Sequence, residues 1–163
     1  MKQIISRNWL VLLGLVFNLM SCQQKEPERD ITAQEVPPAV LQVFNQAYPN
    51  AAIKNYAEET EQGQKFYEIS CEFQGRKIDA LYKPDGTVAA IEEVIAAEQL
   101  PENIQRAVAT EFQQFSIKLT EKIEKEGKTF FEIKLLNSED QKNYELVFDD
   151  AGKLMAKEPT TEE

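Results

Sequence analysis

The feature that constrains this chain most is an internal repeat, in which the stretch beginning at Val36 matches the stretch beginning at Leu100. Residues 64 positions apart share their chemical character, as in the pairs Pro37/Pro101, Phe44/Val108, Tyr48/Phe112, Gly63/Gly127, Tyr67/Phe131 and Ile69/Ile133. After an insertion near residues 138–140 the spacing becomes 66, which pairs Tyr82 with Phe148 and Gly86 with Gly152. Solenoid units are shorter than this, so the repeat indicates a duplicated small domain.

Each unit opens with an amphipathic helix. Val36, Val40, Phe44 and Ala47 recur at helical spacing and predict one buried face. A proline suits the first helical turn, and the residue before Pro49 disfavours helical backbone, so the first helix should end near Tyr48. The second unit repeats the pattern after Pro101 with Leu100, Ile104, Val108 and Phe112.

Four strands are predicted to follow each helix, because apolar and polar residues then alternate with period two. In the first unit they cover Ala52–Glu59, Lys65–Phe73, Arg76–Tyr82 and Thr87–Val94. In the second unit they cover Ile117–Ile123, the run Phe131–Leu135, Asn143–Phe148 and Lys153–Lys157. Pro84-Asp85-Gly86 and Asp150-Ala151-Gly152 are typical of the turns of hairpins.

These elements predict an α+β fold of two tandem units, each with one helix packed on a four-stranded antiparallel sheet. The first unit should cover residues 36–97 and the second residues 98–157. Residues 22–35 are interpreted as a tether, and residues 158–163 as a disordered acidic tail.

The first 21 residues are typical of a secretory signal peptide, with Lys2 and Arg7 before a short apolar run. That run is interrupted by Gly14 and ends at Asn18, so it falls short of the roughly 20 apolar residues that span a bilayer. The segment is therefore expected to direct export and to be removed.

The junction Leu19-Met20-Ser21-Cys22 resembles the lipobox of bacterial lipoproteins. The resemblance implies cleavage before Cys22 and attachment of lipid there, and two or more acyl chains hold a protein stably on a membrane. Lys25 followed by Glu26 resembles a surface-export signal of some lipoproteins, although an ordinary solvated tether has the same composition. The predicted location is the outer membrane or the cell surface.

Composition excludes several classes of function. The net charge of −10 argues against binding to nucleic acid and to anionic lipid. The chain contains no histidine, which removes histidine-dependent catalysis and histidine-bound zinc. No enzyme, cofactor or metal is predicted. Cys71 remains alone after Cys22 is lipidated, and its place in an alternating run predicts a small buried apolar residue.

Three features of the first unit together resemble the PepSY-like, or beta-lactamase-inhibitor-like, family. They are a helix that ends in Tyr48-Pro49, a strand that reads Phe66-Tyr67-Glu68-Ile69 after Gly63, and a strand that ends near Asp85-Gly86. The resemblance covers Val36 to about Glu158. It implies an extracytoplasmic binding or inhibitory role without catalysis. Tyr56 stands where the family often has tryptophan, and the second unit has Thr120 there.

The sheet face away from each helix is the predicted binding surface. Alternation places there Phe66, Leu81 and Ile91 in the first unit, and Phe130, Leu136, Val147 and Met155 in the second. A solvated face would be polar, so these residues indicate a covered or recognising surface. A protein or peptide partner would bind Phe66, Leu81, Phe130 and Val147, with Tyr56 as a further candidate. The alternatives are packing of the two units against each other and a homodimer.

A calcium-binding or stress-buffering envelope protein is the second hypothesis. Glu58, Glu59 and Glu61 cluster near one turn, and calcium requires several oxygen ligands at one site. The other acidic positions of this hypothesis are Glu121, Glu124, Glu126, Asp149 and Asp150. A solvated charged edge is the competing interpretation.

Overall fold

The structure is a computed structural model that describes residues 29–61 and 63–160. The elements follow the order β1 (Arg29–Asp30), α1 (Pro38–Ala47), β2 (Ala52–Glu61), β3 (Gln64–Phe73), β4 (Arg76–Tyr82), β5 (Val88–Val94), α2 (Glu102–Glu111), β6 (Phe115–Lys125), β7 (Lys128–Asn137), β8 (Asn143–Asp149) and β9 (Leu154–Thr160), with a short 3₁₀ helix at Ala97–Gln99 before α2. The predicted signal peptide, Cys22 and residues 23–28 lie outside the described residues.

The strands form one antiparallel sheet whose order follows the chain from β1 to β9. The α+β class and a helix in each unit are confirmed, but the predicted four-stranded sheet of each unit is not, because the strands of both units join in one nine-stranded sheet. Strands β5 and β6 pair from Ala90 opposite Lys125 to Val94 opposite Glu121, which joins the units edge to edge. The pairing satisfies backbone groups that two separate sheets would leave open at their edges.

The fold begins inside the predicted tether and ends inside the predicted tail. Arg29 and Asp30 pair with Glu58 and Ala57 of β2. The Ile31 N–H then donates to the Tyr56 carbonyl at 2.9 Å, as Ile95 donates to Thr120 at 3.0 Å in the second unit. Strand β1 thus takes the place that β5 takes for the second unit. At the other end, Glu158–Thr160 belong to β9 and pair with β8, so these three residues are not a free tail.

Two hydrophobic cores lie on the same face of the sheet. In the first, Val40 and Phe44 of α1 pack with residues that include Ile69, Ala80 and Tyr82. In the second, Ile104 and Val108 of α2 pack with residues that include Ile133, Leu146 and Phe148. Cross-strand partners share a face of a sheet. The register from Cys71 through Ile78, Glu93, Lys122 and Phe131 to Phe148 therefore places both helices on one side.

Both predicted turns form and contact a helix. Gly86 has a φ of +86°, and a Cβ atom there would lie 2.9 Å from the Ala39 carbonyl oxygen of α1. In the second unit the Asn103 amide of α2 donates to the Ala151 carbonyl at 2.7 Å. None of the helices in the described residues has the length and the apolar content that crossing a bilayer requires.

Candidate functional site: the open face of the sheet

We call the sheet face opposite the helices the open face, because no helix of the described residues packs on it. Phe66, Leu81, Phe130 and Val147 all lie there, since each alternates with a core residue: Tyr67, Tyr82, Phe131 and Phe148. Their cross-strand partners are Glu59 for Phe66, Ala90 for Leu81, Ile123 for Phe130, and both Glu132 and Ala156 for Val147. The edge-to-edge joining of the units makes these four residues part of one continuous surface.

Tyr56 lies on the other face. It pairs with Ile69 and packs against the first core, so it is separated from the four open-face candidates. Ile91 was also expected on the open face, but it pairs with Ala80 and packs on the same core. In β9, Ala156 rather than Met155 pairs with Val147 on the open face.

The four residues differ in exposure. Phe66 is 9% exposed and Val147 3%, whereas Leu81 and Phe130 are half-buried. Five buried apolar residues belong to neither core cluster, and all lie on the open face by their register: Ala57, Phe66, Ala90, Val147 and Ala156. Neighbouring side chains of the sheet therefore shield them, and Leu81 and Phe130 offer the accessible apolar surface.

The predicted alternative of face-to-face packing between the two units does not occur. Pairing of β5 with β6 holds the two halves of the open face side by side, so neither can cover the other. A homodimer through this face remains a hypothesis.

The open face is also strongly acidic. The register places on it Glu59, Glu68, Asp79, Glu92, Glu121, Glu132 and Glu145. Among these, Glu121 is 7% exposed, and burial raises the pKa of its carboxyl. Burial, together with the neighbouring charges of Glu145 and Glu121, raises the pKa of Glu132 to about 8.

Sequence reasoning missed the pairing of Glu121 with Glu132. Glu121 was considered only as an acidic position of the calcium hypothesis, and Glu132 was not considered as part of a site. Side chains alternate between the two faces along each strand. Once the register between β6 and β7 is known, this alternation places Glu121 and Glu132 on the same face as Phe130.

Two of the acidic residues of the calcium hypothesis, Glu58 and Glu124, make ion pairs. The Glu58 carboxylate lies 2.9 Å from the Lys65 ammonium, which lowers the pKa of Glu58, and Glu124 lies 2.6 Å from Lys122. Within residues 29–61 and 63–160, no group of three or more acidic or cysteine side chains is arranged to hold a metal ion.

Cys71 behaves as predicted. It is 3% exposed within the first core, and burial raises the pKa of its thiol. A reactive cysteine would need the opposite shift of its pKa.

A groove of about 450 Å³ lies on the helix side of the second unit, lined by residues that include Leu100, Phe112 and Ile117. Nearby, the Lys157 ammonium lies 5.1 Å from the ring centre of Phe112 and 5.4 Å from that of Tyr144. The protein's own lysine thus occupies this aromatic cluster.

Solved structures share this fold. A protein of Bacteroides eggerthii described as periplasmic has a TM-score of 0.67 at 17% identity, over 77% of this chain and 90% of that one. A BLIP-like protein of Bacteroides fragilis has a TM-score of 0.61 at 22% identity, over 77% of this chain and 86% of that one. No curated protein sequence matches this chain.

The family model described as beta-lactamase-inhibitor-like, PepSY-like matches residues 23–90 and 73–156. These two overlapping segments contain both helices and the strands from β1 to β8, which covers most of the chain. The expectation drawn from the sequence motifs is confirmed, and this chain belongs to the PepSY-like, beta-lactamase-inhibitor-like family.

Proposed function

We propose that this protein is a lipid-anchored, extracytoplasmic binding module that recognises a protein or peptide through the open face of its sheet. The observation that carries the proposal is a continuous sheet face with apolar residues on which neither helix packs. Two structural relatives are described as periplasmic or BLIP-like, which agrees with an extracytoplasmic binding role. Lipidation of Cys22 would hold this face near a membrane.

Leu81 and Phe130 are the proposed contact residues, because both are half-buried and so retain surface for a partner. Phe66 and Val147 lie on the same face but are buried there. Aromatic residues flanked by shielded neighbours commonly supply most of the binding energy of an interface. The family description makes the blocking of a partner enzyme the form of recognition to be tested first.

The experiment is affinity capture from envelope extract with the full chain as bait. A Leu81→Ser/Phe130→Ser variant is compared with Val88→Ser/Leu154→Ser. The control removes two apolar side chains that are 47% and 36% exposed and pair with helix-face residues. We expect one protein to bind the wild type and the control and to be lost from the open-face variant, with all three melting normally.

Equal capture by the two variants would show that the open face is not the binding surface. Sedimentation of the purified chain tests the homodimer, and calorimetric titration with calcium tests the acidic turns. Heat at micromolar calcium would favour the second hypothesis over the one proposed here.

A further inference from the structure

Two carboxylates face each other near the middle of the open face. Glu121 of β6 lies directly opposite Glu132 of β7. Val94 continues the same cross-strand row on one side and Val147 on the other. Ile123 and Phe130 form the next pair along these strands on the same face. Apolar side chains therefore flank the acidic pair at both ends of its cross-strand row and at the next pair along the strands.

The pair is buried without hydrogen bonds to stabilise its charge. Glu121 is 7% exposed as a residue, and the side chain of Glu132 is 14% exposed. The causes that raise the pKa of each carboxyl are burial and neighbouring charges, and no hydrogen bond from the described residues contributes to either. The oxygens of the pair are not among the fully buried side-chain atoms of the described residues that lack a partner, so they keep some access from the open face. Carboxyls buried to this degree usually accept hydrogen bonds, and a donor that reaches them from the open face would supply these.

The surrounding charges do not neutralise the pair. Lys134 acts on both carboxyls, and its ammonium lies 3.8 Å from the Glu132 carboxylate. The charged groups that face the pair come from each neighbouring strand: Asp79 of β4, Glu92 of β5, Lys134 of β7 and Glu145 of β8. The acidic groups among these outnumber Lys134, which leaves an excess of negative charge beside the pair.

The first unit lacks this arrangement. Ala57 stands at the position of Glu121, and Glu68 stands at the position of Glu132. Glu68 accepts a hydrogen bond of 3.2 Å from the Ser70 hydroxyl, whereas Lys134 stands at the equivalent position of the second unit. The paired carboxylates are therefore a feature of the second unit and not of the repeat in general.

We infer that the open face recognises a polypeptide partner by taking one of its lysine or arginine side chains between Glu121 and Glu132. The inference rests on the proposed binding function and names the chemistry of the partner. The ammonium or guanidinium group would supply the donors that the two carboxylates lack. Ile123 and Phe130 would contact the aliphatic part of the inserted side chain, which packs well on apolar surface.

The negative charge of the open face favours a cationic peptide over a second copy of the chain, anionic lipid or nucleic acid. A second copy of the chain would bring an equally acidic face, and like charges brought together at an interface oppose association. Anionic lipid and nucleic acid are disfavoured for the same reason. A cationic side chain on an apolar-flanked peptide matches both the charge and the surroundings of the pair.

Insertion of a cation should also release a proton. An adjacent positive charge favours the ionised carboxylate and so lowers the pKa of Glu132 from its raised value. Binding should then strengthen as the pH rises toward that value. An attraction to exposed carboxylates, which are already ionised at neutral pH, would show no such dependence.

The test uses two synthetic peptides on the full chain: Ser-Leu-Lys-Leu-Ser flanked by further serines, and the same peptide with acetyl-lysine. Acetylation keeps the aliphatic part of the side chain and removes its charge. Binding is measured by fluorescence anisotropy near pH 6 and near pH 8, and by calorimetry in two buffers of different ionisation enthalpy. The variants are Glu121→Gln/Glu132→Gln and the matched open-face control Glu68→Gln.

We expect the lysine peptide to bind the wild type with proton release. Its affinity for the double variant should be lower by a factor of at least about ten. Glu68→Gln should change the affinity by less than about threefold, and the acetylated peptide should bind no more tightly than the double variant does. No binding of the lysine peptide at about 1 mM overturns the inference. So does equal weakening by Glu68→Gln, or equally tight binding of free spermidine, which would indicate nonspecific attraction of cations.

Partner capture with both variants distinguishes failure of the acidic-pair inference from failure of the proposed open-face function. If Leu81→Ser/Phe130→Ser abolishes capture of a partner while Glu121→Gln/Glu132→Gln leaves it intact, the open face binds but not through the acidic pair. If neither variant affects capture, the open face itself is excluded.

Discussion

Tyr82 and Phe148 occupy equivalent positions in the two cores, and the hydroxyl of Tyr82 has no hydrogen-bond partner there. Both side chains are almost completely buried, at 0% and 1% exposure. The Tyr82 hydroxyl is the one fully buried side-chain polar atom of the described residues that lacks a partner. A buried polar group without a hydrogen bond costs about 1–3 kcal/mol. The second unit avoids this cost because its equivalent residue is phenylalanine.

Tyr82→Phe should therefore raise the free energy of unfolding by about 1 kcal/mol, since it removes the desolvated hydroxyl and keeps the ring. The measurement is urea denaturation of the wild type and the variant. Tyr144→Phe is the matched control, because the Tyr144 hydroxyl does donate, to Asp140 at 3.0 Å. The control should be neutral or slightly destabilised. A loss of stability in Tyr82→Phe would show that the hydroxyl has a partner after all.

Glu132 should make the protein less stable as the pH rises. Its folded pKa of about 8 lies above the value of 4.5 for an ordinary glutamate. The folded state therefore holds the proton more tightly than the unfolded state. This contribution to stability is fully present below about pH 4.5 and is lost as the pH rises through about 8.

Glu132→Gln should remove that dependence, because glutamine resembles the protonated acid and cannot ionise. The difference in unfolding free energy between the variant and the wild type should increase by about 2–4 kcal/mol, in favour of the variant, as the pH rises from about 5 to about 9. Glu102→Gln, at a side chain that is 90% exposed, is the control and should follow the wild type. Parallel pH profiles for wild type and Glu132→Gln would contradict the raised pKa.

Gly86 should tolerate a methyl group less well than Gly75. Both have positive φ, at +86° and +77°, so alanine is strained at either position. At Gly86 the new Cβ would also lie 2.9 Å from the Ala39 carbonyl oxygen, whereas at Gly75 nothing lies within 4 Å. Gly75→Ala should cost about 1 kcal/mol, and Gly86→Ala about 1–3 kcal/mol more. Thermal melting of both variants measures the difference, and equal costs would mean that α1 yields to the added methyl group.

The parts of the fold that could be predicted depend on local patterns. Both helices follow from apolar spacing and flanking prolines, and the β2–β5 and β6–β9 strands follow from alternation broken at turns such as Gly86 and Gly152. Strand β1 was missed because two residues are too few for a period, although the match of Ile31 with Ile95 at the repeat spacing points to it.

Bulges explain why alternation did not give the faces of Tyr56 and Ile91. The pairing of β2 with β3 shifts between Ile53 and Asn55, and Tyr56 therefore returns to the helix side of the sheet. The pairing of β4 with β5 shifts between Leu81 and Tyr82, and Ile91 therefore also lies on the helix side of the sheet. One extra residue exchanges the faces of every side chain beyond it. Alternation alone does not reveal where such a residue lies.

By itself, the sequence determined the duplication, the α+β class, the turns and the membership of the family, because each can be recognised from the spacing of residue types along the chain. Only the tertiary structure decided that β5 pairs with β6, which joins the open faces of the two units into one surface, and that Glu121 lies opposite Glu132 across β6 and β7 within it. The physical reason is that edge pairing is made by backbone groups that every residue carries. Side-chain identity marks which face of a strand is buried, but not which edge it joins.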